Sequence, residues 1–376
     1  MAERLRVVIA GGGTGGHTSA GLAMAAALRS RLGPGVELGW VGSHGGLEAT
    51  RVPAAGIPYH AIPTGKLRRS LALRNLTDLG LRVPAGFVQA WRLLGRLHPD
   101  VVVATGGFVA VPTALAAAAR RRPLLVHEQV VVPGLANRLT ARLADRVAVT
   151  FAASAAAFPA GKVVVTGNPV RPELLAGDRT RAFQRFGLDS AAPVVYVTGG
   201  AQGAHRINRV IGAALAPLLA VGQLVHQCGD NVYDDAGWLR GQAARLPAAL
   251  AARYRVVPFI TEGLADLYAA AALCVSRAGA GTVTELCALG VPAIFIPLPG
   301  ARGDEQTANA RVLAEAGGAV LLPEAELTPG GLAELVGALL GDPGRLKAMS
   351  ERARTLARPD AGERLVDLIL QLARRR

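Results

Sequence analysis

The sequence predicts an α/β protein built as two similar domains, and three observations carry that prediction. Short runs of β-branched residues alternate with longer alanine- and leucine-rich segments of helical period. Apolar runs separated by helix-length pieces indicate parallel sheets covered on both faces. An internal echo follows: VVIAGGGTGGH (residues 7–17) resembles VVYVTGGAQGAH (194–205), and each precedes an Ala/Leu-rich segment. The length of 376 residues also suits two cores, at about 150 residues per domain.

Strands are expected at residues 7–10, 36–41, 101–104, 124–127, 163–166, 194–198, 224–228, 274–276 and 293–296. Residues 101–119 carry no charge over 19 positions, long enough to raise a membrane span. Thr105-Gly106-Gly107 and Pro112 interrupt the stretch, so a buried strand, a glycine turn and a helix describe it better. Gly167 to Pro172 (GNPVRP) reads as a hinge, because its prolines interrupt both helix and sheet. The segment from Arg345 to Arg376 is helical in pattern and dense in arginine. The resulting division is 1–166, 167–350 and 351–376, the last a C-terminal helix able to pack back on the amino-terminal domain.

With 51% hydrophobic and 18% charged residues, disorder is excluded. The formal charge of +14 favours an anionic partner, although only three lysines and many arginines point to base-composition bias as part of it. Three cysteines, Cys228, Cys274 and Cys287, cannot all pair and show no C-x-x-C spacing. A disulfide framework and a zinc site are therefore not expected, and a reducing compartment fits. Arg4 and Arg6 precede only a short apolar run that ends in glycines, so no secretory h-region is read there. Nucleic acid is disfavoured, since the 16 aromatic residues are dispersed rather than clustered as stacking platforms.

Glycine loops follow strands at 11–17, 105–108, 198–204 and 277–285. Glycine lets the backbone approach a ligand, and the next helix offers free N–H groups to a phosphate. Gly11, Gly13 and Gly16 satisfy G-x-G-x-x-G, but Val41-Gly42-Ser43 lacks the acidic residue that would bind a dinucleotide ribose. His17 is a candidate general base at the first loop, or a structural helix-start residue. Glu128 is a second candidate base, or a capping carboxylate. Glu285, placed in the first turn of its helix, can accept both ribose hydroxyls or simply complement the dipole. Residues 62–98 mix leucine with seven Lys or Arg. They read either as an ordinary helix pair or as a membrane-surface patch of Leu67, Arg68, Arg69, Leu71, Leu73, Arg74 and Leu76.

GGGTGGH, TGGFVAVP, HEQ…PGLANR, TGNPVRPE, TGGAQGA…N, SRAGAGTVTE and DEQTANA occur in that order over almost the whole chain. Together they resemble the MurG family, which moves N-acetylglucosamine from its UDP donor onto undecaprenyl-pyrophosphoryl-N-acetylmuramoyl-pentapeptide. The resemblance implies a GT-B fold, two Rossmann-like domains facing across a cleft, and an inverting mechanism without cofactor or metal. It also implies a peripheral enzyme on the cytoplasmic face of the cell membrane, with the lipid acceptor on the amino-terminal domain and UDP on the other.

Carried over position by position, Thr14, Gly15 and Gly16 would approach the diphosphate and sugar beside His17, and Arg171 would contact the donor. Ile260 would meet the uracil through its backbone. Ala201, Gln202 and Gly203, with Gly279, Ala280, Gly281, Thr282, Val283 and Thr284, would line the phosphates. Glu285 would hold the ribose, and Gln306 and Asn309 would face the transferred sugar. Three positions depart from the family pattern: Val130 replaces an asparagine that contacts the donor, Ala201 replaces a serine, and Glu305 stands where His or Gln is common. Each lost hydrogen bond to a charged group would cost about 1.5–3 kcal/mol. A related transferase with another lipid acceptor, or a binding protein with a weakened donor site, remain the alternatives.

Overall fold

A computed structural model describes residues 4–65, 81–300 and 302–374. The membrane-patch residues Leu67, Arg68, Arg69, Leu71, Leu73, Arg74 and Leu76 lie outside the described residues. The chain forms two compact units, Met1–Val170 with Arg358–Arg376, and Arg171–Ala357.

The first unit contains strands β1 (Leu5–Gly11), β2 (Val36–Gly42), β3 (Tyr59–Ala61), β4 (Val101–Gly106), β5 (Leu124–Glu128), β6 (Arg146–Val149) and β7 (Val163–Val165). They pair in parallel in the order β3-β2-β1-β4-β5-β6-β7. Alternate residues of a strand point to opposite faces, and each face here has its own core. Val8, Ala10, Val102, Ala104 and Val126 pack with Leu93 and Leu94 of helix Val83–Leu97 and Ala114 and Ala117 of helix Ala110–Ala119. Val7, Ile9, Val101, Val103 and Leu125 pack with Met24 and Leu28 of helix Gly15–Leu32. The same face receives Leu365, Val366, Ile369 and Leu372 of the terminal helix Ala361–Ala373. Arg31 pairs with Glu363 and Asp367 of that helix at 3.0 and 2.7 Å.

The second unit contains β8 (Val194–Thr198), β9 (Gln223–Gln227), β10 (Tyr254–Val257), β11 (Ala271–Ser276), β12 (Ala293–Phe295) and β13 (Ala319–Leu321). Their order is β10-β9-β8-β11-β12-β13, again parallel. Val195, Val197, Leu224 and Val275 meet Ile207 and Ile211 of helix His205–Ala213 and Val336 of helix Pro329–Leu340.

All nine expected strands are present, and residues 101–119 form strand, glycine turn and helix. Among the described residues no helix is long and apolar enough to cross a membrane. Strands β3, β6, β10 and β13 were not expected. Each has only three or four residues, and Tyr59, Arg146 and Tyr254 open three of them. Such segments acquire strand geometry from the ladder beside them more than from their own composition. The arginine-rich end is two helices, Pro343–Thr355 in the second unit and Ala361–Ala373 in the first, separated at Pro359. All three cysteines are free and buried.

Because Leu365 is fully buried against the β1 face, Leu365→Ala is expected to destabilise the first unit by roughly 2–5 kcal/mol. Denaturant unfolding monitored separately for the two units checks this, with the second unit's transition unchanged.

Candidate active site

Strand order reverses at β1/β4 in the first unit, so the loops leaving these strands diverge and open a crevice at their carboxyl ends. Thr14 caps helix Gly15–Leu32, accepting the His17 N–H at 3.4 Å. This places His17 one turn into the helix, at the crevice. Gly106, at the end of β4, has φ +110°, and a Cβ there would lie 2.7 Å from the His17 ring. Only glycine fits that approach.

The His17 ring is held from β5. Its Nδ1 lies 2.8 Å from Oε1 of Gln129. The Gln129 Nε2 donates to the carbonyls of Thr105 (2.9 Å) and His127 (3.0 Å), and lies 3.0 Å from His127 Nδ1. Glu128 is buried between its own partners: Oε1 accepts the Val130 N–H and Oε2 accepts Asn137 Nδ2, both at 3.0 Å. The carboxylate therefore organises the turn after β5, and the Val130 N–H is engaged in the same turn.

The first glycine loop is not empty of negative charge. Gly13 donates its N–H to Glu48 at 3.1 Å, and the same buried carboxylate accepts the Ser43 hydroxyl at 2.6 Å. Thr14, Gly15 and Gly16 follow this filled position and lead into His17. Such a site favours a neutral hydroxyl near His17 over an anion beneath Gly13.

In the second unit the reversal is at β8/β11. The loop Gly199–Ala204 is folded tightly: Thr198 accepts the Gly200 N–H at 3.1 Å, and a Cβ on Gly203 would lie 1.9 Å from the Cys228 carbonyl. Ala201 and Gln202 are exposed at its tip. Gln227, ending β9, donates to Gly200 and Thr198 and accepts the Ile260 N–H at 3.0 Å. A base read through the Ile260 N–H would have to displace Gln227.

After β11, helix Ala280–Leu289 starts at Gly279 without a side-chain cap. First N–H groups and a dipole of this kind can hold an anion, and Gly279, Ala280, Gly281 and Thr282 form this helix start. Val283 is buried in the helix, and Thr284 Oγ1 donates back to the Ala280 and Gly281 carbonyls, which turns that hydroxyl inward. Glu285 lies in the second turn, not the first: it is the sixth residue of the helix, beyond the reach of the terminal dipole. Its Oε2 accepts the Tyr268 hydroxyl at 3.2 Å, and Oε1 faces Arg171 at 3.8 Å. Burial raises the Glu285 pKa, against the opposing pull of Arg171 and the Tyr268 hydroxyl. Asn309 is buried and donates to the Ala278 carbonyl at 3.2 Å, so it anchors the loop before helix Ala280–Leu289. Gln306 accepts the Leu298 N–H at 3.0 Å, so the oxygen of its amide is used within the unit. Arg277 donates to the carbonyls of Ile296 and Pro297 and pairs with Glu324. Among the described residues no group of three His, Cys, Asp or Glu is arranged to hold a metal.

Sequence reasoning missed Gln129, Asn137, Glu48 and Gln227. Gln227 did leave a signal as a polar residue ending a strand, and Gln129 as one directly after a strand.

The two sheets, each with its glycine loops at the reversal, define a two-domain glycosyltransferase of GT-B fold. Residues 7–149 match the glycosyltransferase family 28 N-terminal domain and residues 194–365 its C-terminal domain. The chain belongs to this family, in its MurG branch. Similar proteins named UDP-N-acetylglucosamine–N-acetylmuramyl-(pentapeptide) pyrophosphoryl-undecaprenol N-acetylglucosamine transferase include that of Desulforudis audaxviator, 41% identical over 98% of this chain and 99% of its own. That of a Nocardioides species is 43% identical over 98% of both chains. The crystal structure of Acinetobacter baumannii MurG superposes with a TM-score of 0.77 at 32% identity, covering 98% of this chain and 99% of that one.

Each unit also buries a neutral histidine. Burial lowers His127 from 6.5 to about 4, opposed by its bond to the Gly167 carbonyl and reinforced by His17. Burial lowers His226 to about 3, opposed by Asp235. The unfolded chain binds these protons first, so stability is expected to fall as pH drops below about 6.5. The His127 contribution levels off near pH 4 and amounts to something on the order of 3 kcal/mol. Thermal unfolding between neutral pH and pH 4 checks this, and His127→Gln should fall less steeply.

Proposed function

We propose that this chain transfers N-acetylglucosamine from UDP-N-acetylglucosamine to undecaprenyl-pyrophosphoryl-N-acetylmuramoyl-pentapeptide, converting lipid I to lipid II in peptidoglycan synthesis. The observation that carries this reading is whole-chain identity of 41–43% to enzymes of that name. The chemistry of both units supports it. His17 takes the proton of the acceptor hydroxyl, whose oxygen attacks the anomeric carbon. The bond from that carbon to the diphosphate breaks, and UDP leaves with the electron pair, inverting the sugar's configuration. Helix Ala280–Leu289 and Arg171 stabilise the departing charge, and Glu285 accepts the ribose hydroxyls. Glu128 is a weaker base than His17 in this arrangement, because both its oxygens already hold the turn after β5.

A lipid-linked acceptor supports a peripheral enzyme at the membrane; on this reading it works at the cytoplasmic face, with the first unit as the docking unit. In support, helix Val83–Leu97 exposes Val88 and Trp91 just after exposed Leu81, with exposed Arg82, Arg92 and Arg96 on the same segment. Apolar side chains interleaved with arginines suit an anionic bilayer surface.

Purified protein given radiolabelled UDP-N-acetylglucosamine and a short-chain acceptor analogue should yield the labelled disaccharide lipid. Failure of both transfer and donor binding would overturn the reading. His17→Ala should lower turnover by roughly 10²–10⁴-fold with donor KM little changed; a near-normal rate would move the base role to Glu128. Glu285→Ala should raise donor KM by about tenfold or more. Arg92→Glu with Arg96→Glu should weaken binding to anionic vesicles by at least about tenfold, at about 1 kcal/mol per arginine removed from the surface.

A further inference from the structure

A buried chain of hydrogen bonds leads to His17 from the far side of β5. Every donor and acceptor along it is determined by a neighbour with only one role to offer. The Gly167 carbonyl can only accept, so His127 Nε2, 3.2 Å away, carries the hydrogen. In the neutral ring, His127 Nδ1 is then an acceptor, and Gln129 Nε2 lies 3.0 Å from it. The Thr105 and His127 carbonyls, at 2.9 and 3.0 Å from the same nitrogen, set the amide in one orientation. Reversing the amide would bring three acceptors against its oxygen. Gln129 Oε1 therefore faces His17 Nδ1 at 2.8 Å, and that ring nitrogen must be the donor. Burial keeps His127 neutral, with its pKa lowered to about 4, so the pattern persists at neutral pH.

We propose that Gln129 is a positioning residue for the transfer reaction: its amide holds His17 in the Nδ1–H tautomer, so that Nε2 bears the lone pair that takes the acceptor's proton. This rests on the reading of His17 as the base. Which nitrogen of a histidine is basic is set by what the other nitrogen bonds. Gln129 does this through an uncharged amide, so it orients the ring without adding a carboxylate beside the reacting centre. Glu128, the adjacent acid, is turned away to Val130 and Asn137.

Two-bond ¹H–¹⁵N correlation spectra of the full-length protein labelled at histidine test the proposal, with His17→Ala identifying the His17 signals. The wild-type protein at neutral pH should show the Nδ1–H pattern for His17. Gln129→Leu should lose that pattern and lower kcat by roughly ten- to a hundredfold while leaving donor KM unchanged. An Nε2–H pattern in the wild-type protein would overturn the proposal without any variant having to fold. So would an Nδ1–H pattern that survives Gln129→Leu. Normal turnover by His17→Ala would instead overturn the base assignment itself, and the spectra keep the two failures distinct.

Discussion

In a parallel sheet each strand must be re-entered from the same end, so every connection crosses over a face and every functional loop emerges at the carboxyl edge. Where the strand order reverses, the two neighbouring loops run apart, and no connection covers the space between them. The reversals at β1/β4 and β8/β11 are therefore the places where this chain can bring side chains to a ligand. His17 follows β1, Gly106 ends β4 and Gln129 follows β5; Gly203 follows β8 and Gly279 follows β11. The same crowding explains Gly106, which sits against the His17 ring, and Gly203, which sits against the Cys228 carbonyl.

The two units repeat one plan and diverge in charge. In the first, a buried carboxylate, Glu48, already occupies the Gly13 N–H. In the second, helix Ala280–Leu289 begins at Gly279, which makes no side-chain cap. A built-in anion repels a diphosphate, whereas an uncapped helix start attracts one. The Gly13 N–H in the first unit is therefore already taken up by a carboxylate, while the helix start in the second unit is of the kind that holds an anion.

Buried amides do much of the positioning in both units. Gln129 joins β4, β5 and His17, while Gln227 joins the loop after β8 to Ile260. Asn208 links His226, the Cys228 carbonyl and Asp235 in the same manner. An amide offers both donors and an acceptor without a charge to desolvate, so it can be fully bonded inside an apolar sheet at low cost. The histidines it touches, His127 and His226, are correspondingly held neutral by burial.

Periodicity and composition alone determined the α/β class, nine of the strands and the glycine loops at their ends, because these depend on neighbours along the chain. The short strands β3, β6, β10 and β13 were illegible, since their geometry comes from pairing with a stronger strand. The motif order determined the family, and His17 and Glu285 stood out by residue type. Tertiary structure decided the surroundings of His17 and Glu128: His17 Nδ1 meets Gln129, and the two oxygens of Glu128 bond to Val130 and Asn137. It decided that Glu48 fills a glycine loop 35 positions away, and that residues after Arg358 return to the first unit. Hydrogen-bond capacity is finite and local in space, so a side chain's role depends on partners that sequence distance does not reveal.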